Sequence, residues 1–303
     1  MKVYRGLITC TLALFLLLTA GLSLAEDSPL RGYNKEEGYV YVTLGQYKQT
    51  LEGGVEPIIW RVLTVDEEKA YLLSEYVLFA RPMHTSEKKM TFEQGKNGHG
   101  GDYSRNEYRD ELKGDFAQTE LCQYLNTTFA EEAFSEEEME LLLPCEDFGK
   151  VFLVTRDDMK NKSIGLGVTY EGKINTKKIF EKPGIRAWGT EWAIHDNGYP
   201  ESEYPDPEER IVGRADEHIT VHEARLYVFQ KKYGSCSPWW GRSSSETNPK
   251  AAVATKDGGQ IGFIEVARDN IGVRPALYLA EGSYEIAGGA GTLESPWQIV
   301  PKE

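Results

Sequence analysis

From residue 38 the chain alternates between apolar and polar positions, through "GYVYVTLGQYKQT". A period of two puts successive side chains on opposite faces, so this segment predicts a half-buried strand ending in a turn. Two apolar runs follow, Ile58–Val65 and Ala70–Phe79, parted by the polar "DEEK", and they predict a hairpin. "KVFLVT" predicts a further strand. Near the end, "KAAVAT" and "QIGFIEVA" flank Asp257-Gly258, a hairpin-turn pair, and "GVRPALYL" predicts a last strand over 272–279.

Between these strands the period changes to helical. In "TELCQYLNTTF", Leu121, Leu125 and Phe129 recur at helix spacing behind Thr119, a capping residue. In "FSEEEMELLL", Ser135 and Glu138 make a capping box ahead of an apolar run, and Pro144 is expected to stop that helix. "TRDDMKNK" predicts one more short helix. Two stretches carry no period, near 84–115 and 160–235, and are read as irregular insertions. The second contains the proline- and acid-rich loop "HDNGYPESEYPDPEER".

The N-terminus reads as a leader rather than structure. Lys2 and Arg5 precede the apolar "LITCTLALFLLLTAGL", and Ser23 and Ala25 precede the acidic "EDS". Cleavage after Ala25 is expected, then a linker over 26–37 and one secreted domain over 38–303. A lipoprotein anchored at Cys10 is the competing layout, but Cys10 precedes most of the apolar run that a lipidated cysteine should follow. No membrane insertion is expected after cleavage, because no other run approaches the length of a span.

The formal charge of −14 argues against nucleic acid and anionic membranes, which are gripped by clustered Lys and Arg. Cys122, Cys145 and Cys236 remain after cleavage, an odd number that leaves one thiol over or none paired. If the two helices form an antiparallel pair, the start of one and the end of the next meet, and a Cys122–Cys145 disulfide is expected there.

In "GVRPALYL" a charge and a proline interrupt a buried pattern. Pro275 cannot donate to a ladder, so the strand is expected at a sheet edge or with a bulge. Arg274 is read as a structural clamp held by a carboxylate or backbone carbonyls, with a ligand-facing arginine as the alternative. His218 and His222 stand four apart but lack the glutamate that follows the first histidine of a zinc protease, so they are read as surface histidines. No cofactor is expected, with calcium and zinc left open. Trp239 and Trp240 are read as core. Trp188, Trp192, Tyr199 and Tyr204 lie in or near proline- and acid-rich loops, where aromatic rings contact sugars or peptides; Arg242 and Asn248 join them as candidate ligand-binding residues.

The ordered segments "YVYVTLGQYKQT", "PIIWRVLTVDEEKAYLLSEYVLF", "FAQTELCQYLNTTFAEEAFSEEEMELLL", "KVFLVT", "PWWGRSSSETNPKAAVATKDGGQIG" and "IGVRPALYL" resemble the secreted bacterial domain-of-unknown-function family 6273. The resemblance covers most of residues 38–280. It implies an α+β fold, a single domain of small twisted antiparallel sheets with two packed helices, in a plan similar to C-type-lectin-like and formylglycine-generating-enzyme-like domains. Two positions depart from the family pattern: Cys122 replaces a polar or basic residue, and Gly241 replaces an apolar one beside the two tryptophans. The oxidising chemistry of formylglycine-generating enzymes needs two late cysteines, and only Cys236 lies late. The expectation is an exported, non-catalytic domain, secreted or at the cell surface, that binds carbohydrate or protein; the alternative is an extracellular hydrolase or metal-dependent enzyme using the 160–240 region.

Overall fold

The computed structural model describes residues 30–50, 52–83, 116–167, 184–185, 187, 189–195, 238–244, 250–256, 260–266 and 271–302. In chain order the strands are β1 (Tyr41–Lys48), β2 (Val55–Val65), β3 (Lys69–Ser74), β4 (Phe79–Ala80), β5 (Leu142–Leu143), β6 (Val151–Phe152) and β7 (Trp240–Ser244). They continue with β8 (Lys250–Lys256), β9 (Gln260–Glu265), β10 (Gly272–Val273), β11 (Ala276–Ala280), β12 (Tyr284–Gly288) and β13 (Trp297–Pro301). The helices are α1 (Glu120–Asn126), α2 (Thr128–Ala133), α3 (Glu136–Glu140), α4 (Arg156–Lys160) and α5 (Glu191–His195). Strand and helix together make an α+β fold around a many-stranded sheet.

That sheet runs β12-β13-β1-β2-β3-β11-β5, with β6 also paired to β11. All its pairings are antiparallel except β1 with β13, which lays the end of the chain beside its first strand. A second sheet is β7-β8-β9, and β4 pairs with β10. The register fixes two faces. Val42, Trp60, Val62, Leu72 and Leu277 share one face; Tyr41, Arg61, Leu73, Tyr71 and Tyr278 share the other.

The α2 region packs on the first face, whereas α4 meets the second through Asp158 and Tyr71. Phe129 and Phe134 of the α2 region pack on Tyr47, Phe79 and Trp60, and the Trp60 indole donates to the Leu44 carbonyl at 2.8 Å. The alternation in β1 slips by one residue, burying Val42 and Leu44 and then Tyr47. A bulge between Thr43 and Gln46 makes the slip. Gly45 sits there at φ 67°, and a Cβ on it would lie 2.6 Å from the Ala133 carbonyl, so only glycine fits.

Four expectations change. The helix over 119–129 breaks into α1 and α2 at Thr127, where Asn126 spends its amide on the Cys122, Phe148 and Val151 carbonyls and Thr127 bonds Gln123. The next helix stops at Glu140, well before Pro144, because Leu142 and Leu143 pair with β11 instead. The second hairpin strand ends at Ser74, whose hydroxyl bonds the Tyr76 carbonyl and turns the chain. "GVRPALYL" is neither one strand nor at an edge: β10 pairs with β4, β11 lies between β3 and the β5 and β6 strands, and Arg274-Pro275 is the crossing between sheets.

No disulfide joins Cys122 to Cys145. Both are buried thiols; Cys122 Sγ donates to the Phe148 carbonyl at 3.4 Å, and Cys145 Sγ accepts from Arg242 at 3.2 Å. The physical reason is the broken helix pair, since α3 ends early and the chain reaches Cys145 through β5 rather than along a helix.

Candidate functional site

The second face of the main sheet carries buried charge. Arg61 comes from the apolar run of β2 and Glu75 from just past β3, two residues beyond Leu73 on the same face. Arg61 Nε and Nη2 both reach Glu75 Oε2, at 2.6 and 2.5 Å, and Nη1 donates to the Gly184 carbonyl at 2.6 Å. Burial opposes the charge on Arg61, but Glu75, Tyr39 and Tyr41 outweigh it and hold its pKa above the ordinary value. The guanidinium also lies 4.6 Å from the Tyr39 ring centre.

Arg274 enters the same region from the crossing between the sheets and is fully buried. Its Nε donates to the Ser74 carbonyl at 2.5 Å, while Pro275 accepts from the Ser74 amide, so Ser74 is pinned on both sides. The guanidinium lies 5.1 Å from the Trp239 ring centre. Nη1 and Nη2 have no hydrogen-bond partner among the described residues. Burial and the Arg61 cation pull the Arg274 pKa down to about 9, against Glu75, Tyr39 and Tyr41.

A second polar cluster lies further along this face. Arg242 of β7 reaches Cys145, lies 4.6 Å from the Phe148 ring centre, and donates its amide to Val154. Burial opposes its charge, yet Cys145, Tyr71 and Asp158 raise its pKa. Tyr71 donates to Asp158, the capping-box acid of α4, at 3.2 Å. Burial, reinforced by the Asp158 carboxylate, pushes the Tyr71 hydroxyl well up; burial, and then Cys145, pushes Tyr278 up to about 12. Gly241 permits this packing, since a Cβ there would strike the Met159 methyl.

On the other side of the molecule an open cleft of about 710 Å³ lies between the bulge of β1 and the α2–α3 turn. Ala133, Phe134, Pro57 and Pro301 give it apolar surface, and Glu131, Glu132, Glu137 and Glu138 give it carboxylates. Glu138 is committed: one oxygen accepts from Gly45 N at 3.0 Å and the other from Ser135 N at 2.9 Å. Glu132 pairs with Lys48 at 3.7 Å. Glu137 is exposed, and hydrogen bonds from its own amide and the Ser135 hydroxyl lower its pKa, which keeps it ionised.

Of the candidate ligand-binding residues, Trp192 and Arg242 are described, and they are not brought together. Trp192 lies against Gly53 at the β1–β2 turn, with Lys48 Nζ 5.5 Å from its ring centre, and its amide donates to Gln49. Trp188, Tyr199, Tyr204, Asn248, His218, His222 and Cys236 lie outside the described residues. Trp239 and Trp240 are fully buried, and their indoles donate to the Ile185 and Arg81 carbonyls. Pro275 is buried at the sheet crossing. Among the described residues no three histidine, cysteine or acidic side chains form a metal-binding group, and no helix is long and apolar enough to cross a membrane.

Arg61, Glu75 and the cleft glutamates were missed by sequence reasoning. A signal for the first existed: "IIWRVL" places a charge in an apolar run just as "GVRPAL" does. No family model, curated protein or solved structure matches the chain.

Proposed function

We propose that the chain is an exported, non-catalytic extracellular or cell-surface domain that binds a ligand through the acid-lined cleft between β1 and the α2–α3 turn. The leader-like N-terminus supports export, and the resemblance of the ordered segments to family 6273 supports a relation to that secreted family. Short helices packed against a largely antiparallel sheet support a C-type-lectin-like plan, an analogy of fold that carries no function with it.

The observation that carries the binding reading is the chemistry of the cleft. It offers apolar surface and the exposed carboxylates of Glu131 and Glu137, whereas Arg61 and Arg274 on the opposite face are buried. The lowered pKa of Glu137 suits an acceptor and is the wrong direction for a proton donor. Carboxylates accept from sugar hydroxyls, but their number favours a cationic protein segment over a neutral carbohydrate.

The test pairs a Lys/Arg-rich peptide panel with a glycan array, using the whole protein and its Glu131→Gln/Glu137→Gln variant. A basic peptide is expected to bind, to lose about 10-fold in affinity in the variant, and to weaken as salt rises. Binding of neutral glycans only, or equal binding by both proteins, overturns the cleft as a site for basic ligands.

A further inference from the structure

Three buried groups set the charge beneath the second face: Arg61, Arg274 and Glu75. Arg61 uses all three guanidinium nitrogens, with Nε and Nη2 both on Glu75 Oε2. The pair is neutral as a unit, and one positive charge remains on Arg274.

Arg274 spends only Nε, on the Ser74 carbonyl. Its outer edge, Nη1 with Nη2, has no acceptor among the described residues, although the residue is fully buried. A neutral contact with Trp239, 5.1 Å away, stabilises the cation without supplying an opposite charge. A water molecule would satisfy a donor but leave the excess charge in place. The titratable groups acting on this guanidinium are Arg61, Glu75, Tyr39 and Tyr41.

We propose that the outer edge of the Arg274 guanidinium holds a small monovalent anion, chloride in a saline medium, taken up as the sheets close on one another. The parallel N–H groups of a guanidinium edge match such an anion, and one unit of negative charge balances the three-residue cluster. Arg274, its chain neighbour Val273 and Trp239, 5.1 Å from the guanidinium, are all fully buried, which favours a single-atom ion over a larger oxyanion. The anion is structural: it completes the joint at which the chain passes from β10 to β11, and it is independent of the acidic cleft.

Thermal melts at constant ionic strength test this, with chloride replacing gluconate. Raising chloride from about 1 mM to about 100 mM is expected to lift the melting temperature by about 4 °C. Arg274→Met is expected to melt at the same temperature in both salts. Should that variant not fold, crystals of the natural protein grown in bromide decide the matter, with an anomalous peak expected against Nη1 and Nη2. Equal melting of the natural protein in both salts overturns the proposal, as does a chloride effect that survives in Arg274→Met. A bromide map with no peak at Arg274, or with a carboxylate of the chain in that place, also overturns it.

Discussion

Two arginines interrupt apolar runs in this chain, and the fold treats them differently. Arg61 is held by a carboxylate and a carbonyl, whereas Arg274 has one carbonyl and an aromatic face. Removing one member of a buried pair leaves the other charged and unpaired, which is worse than losing the bond itself. Glu75→Ala is therefore expected to cost about 3–5 kcal/mol in urea unfolding, because it leaves Arg61 buried without its counter-charge. Arg274→Ala is expected to destabilise by several kcal/mol, and Arg274→Lys to recover little of it, since an ammonium does not reproduce the planar fork. Melting of Arg274→Lys at the natural temperature would show that the fork geometry is not what the site uses.

At the scale of elements, α3 is short, yet its N-terminus is doubly tied. Ser135 and Glu138 cap one another, and the same glutamate reaches across to the amide of Gly45 in the β1 bulge. Ser135→Ala removes only the cap and is expected to cost about 1 kcal/mol. Glu138→Ala removes the cap and the tether, and should cost clearly more. Chemical denaturation of both variants makes the comparison; equal losses would mean that the tether to Gly45 contributes nothing.

Over the whole molecule, the buried and half-buried tyrosines give a direction to the pH dependence. Burial first, and then Glu75, raises Tyr41 from 10.0 to about 12; Tyr278 rises to about 12 through burial and Cys145. Burial also raises Tyr39 and Tyr71. A group whose folded pKa exceeds its unfolded one stabilises fully below the unfolded value and loses that contribution as pH climbs through the folded value. The fold should therefore weaken between about pH 10 and pH 12. Arg274 runs the other way, since its pKa falls from the ordinary guanidinium value to about 9 and the unfolded chain binds the extra proton above that. One opposing group does not cancel four. Melting temperature followed alongside tyrosinate absorbance checks this, and a stability that rises between pH 10 and pH 12 would refute it.

Period and capping carried much of the architecture in the sequence itself. The alternation of β1, the hairpin of β2 and β3, the Thr119 and Ser135 caps and the mixture of strand and helix all follow from local spacing, because each depends on neighbours a few residues away. Tertiary contacts decided the rest. Leu142 and Leu143 have helical spacing but become strand because β11 offers a ladder. Pro275 marks a break rather than an edge, since the chain changes sheets where its missing donor costs nothing. Cys122 and Cys145 stay apart as thiols because the helices that were to join them end early. Glu75 chose Arg61 over Arg274, and the cleft gathered glutamates from two helices beside a bulge; both outcomes rest on distances across the sheet that no local spacing encodes.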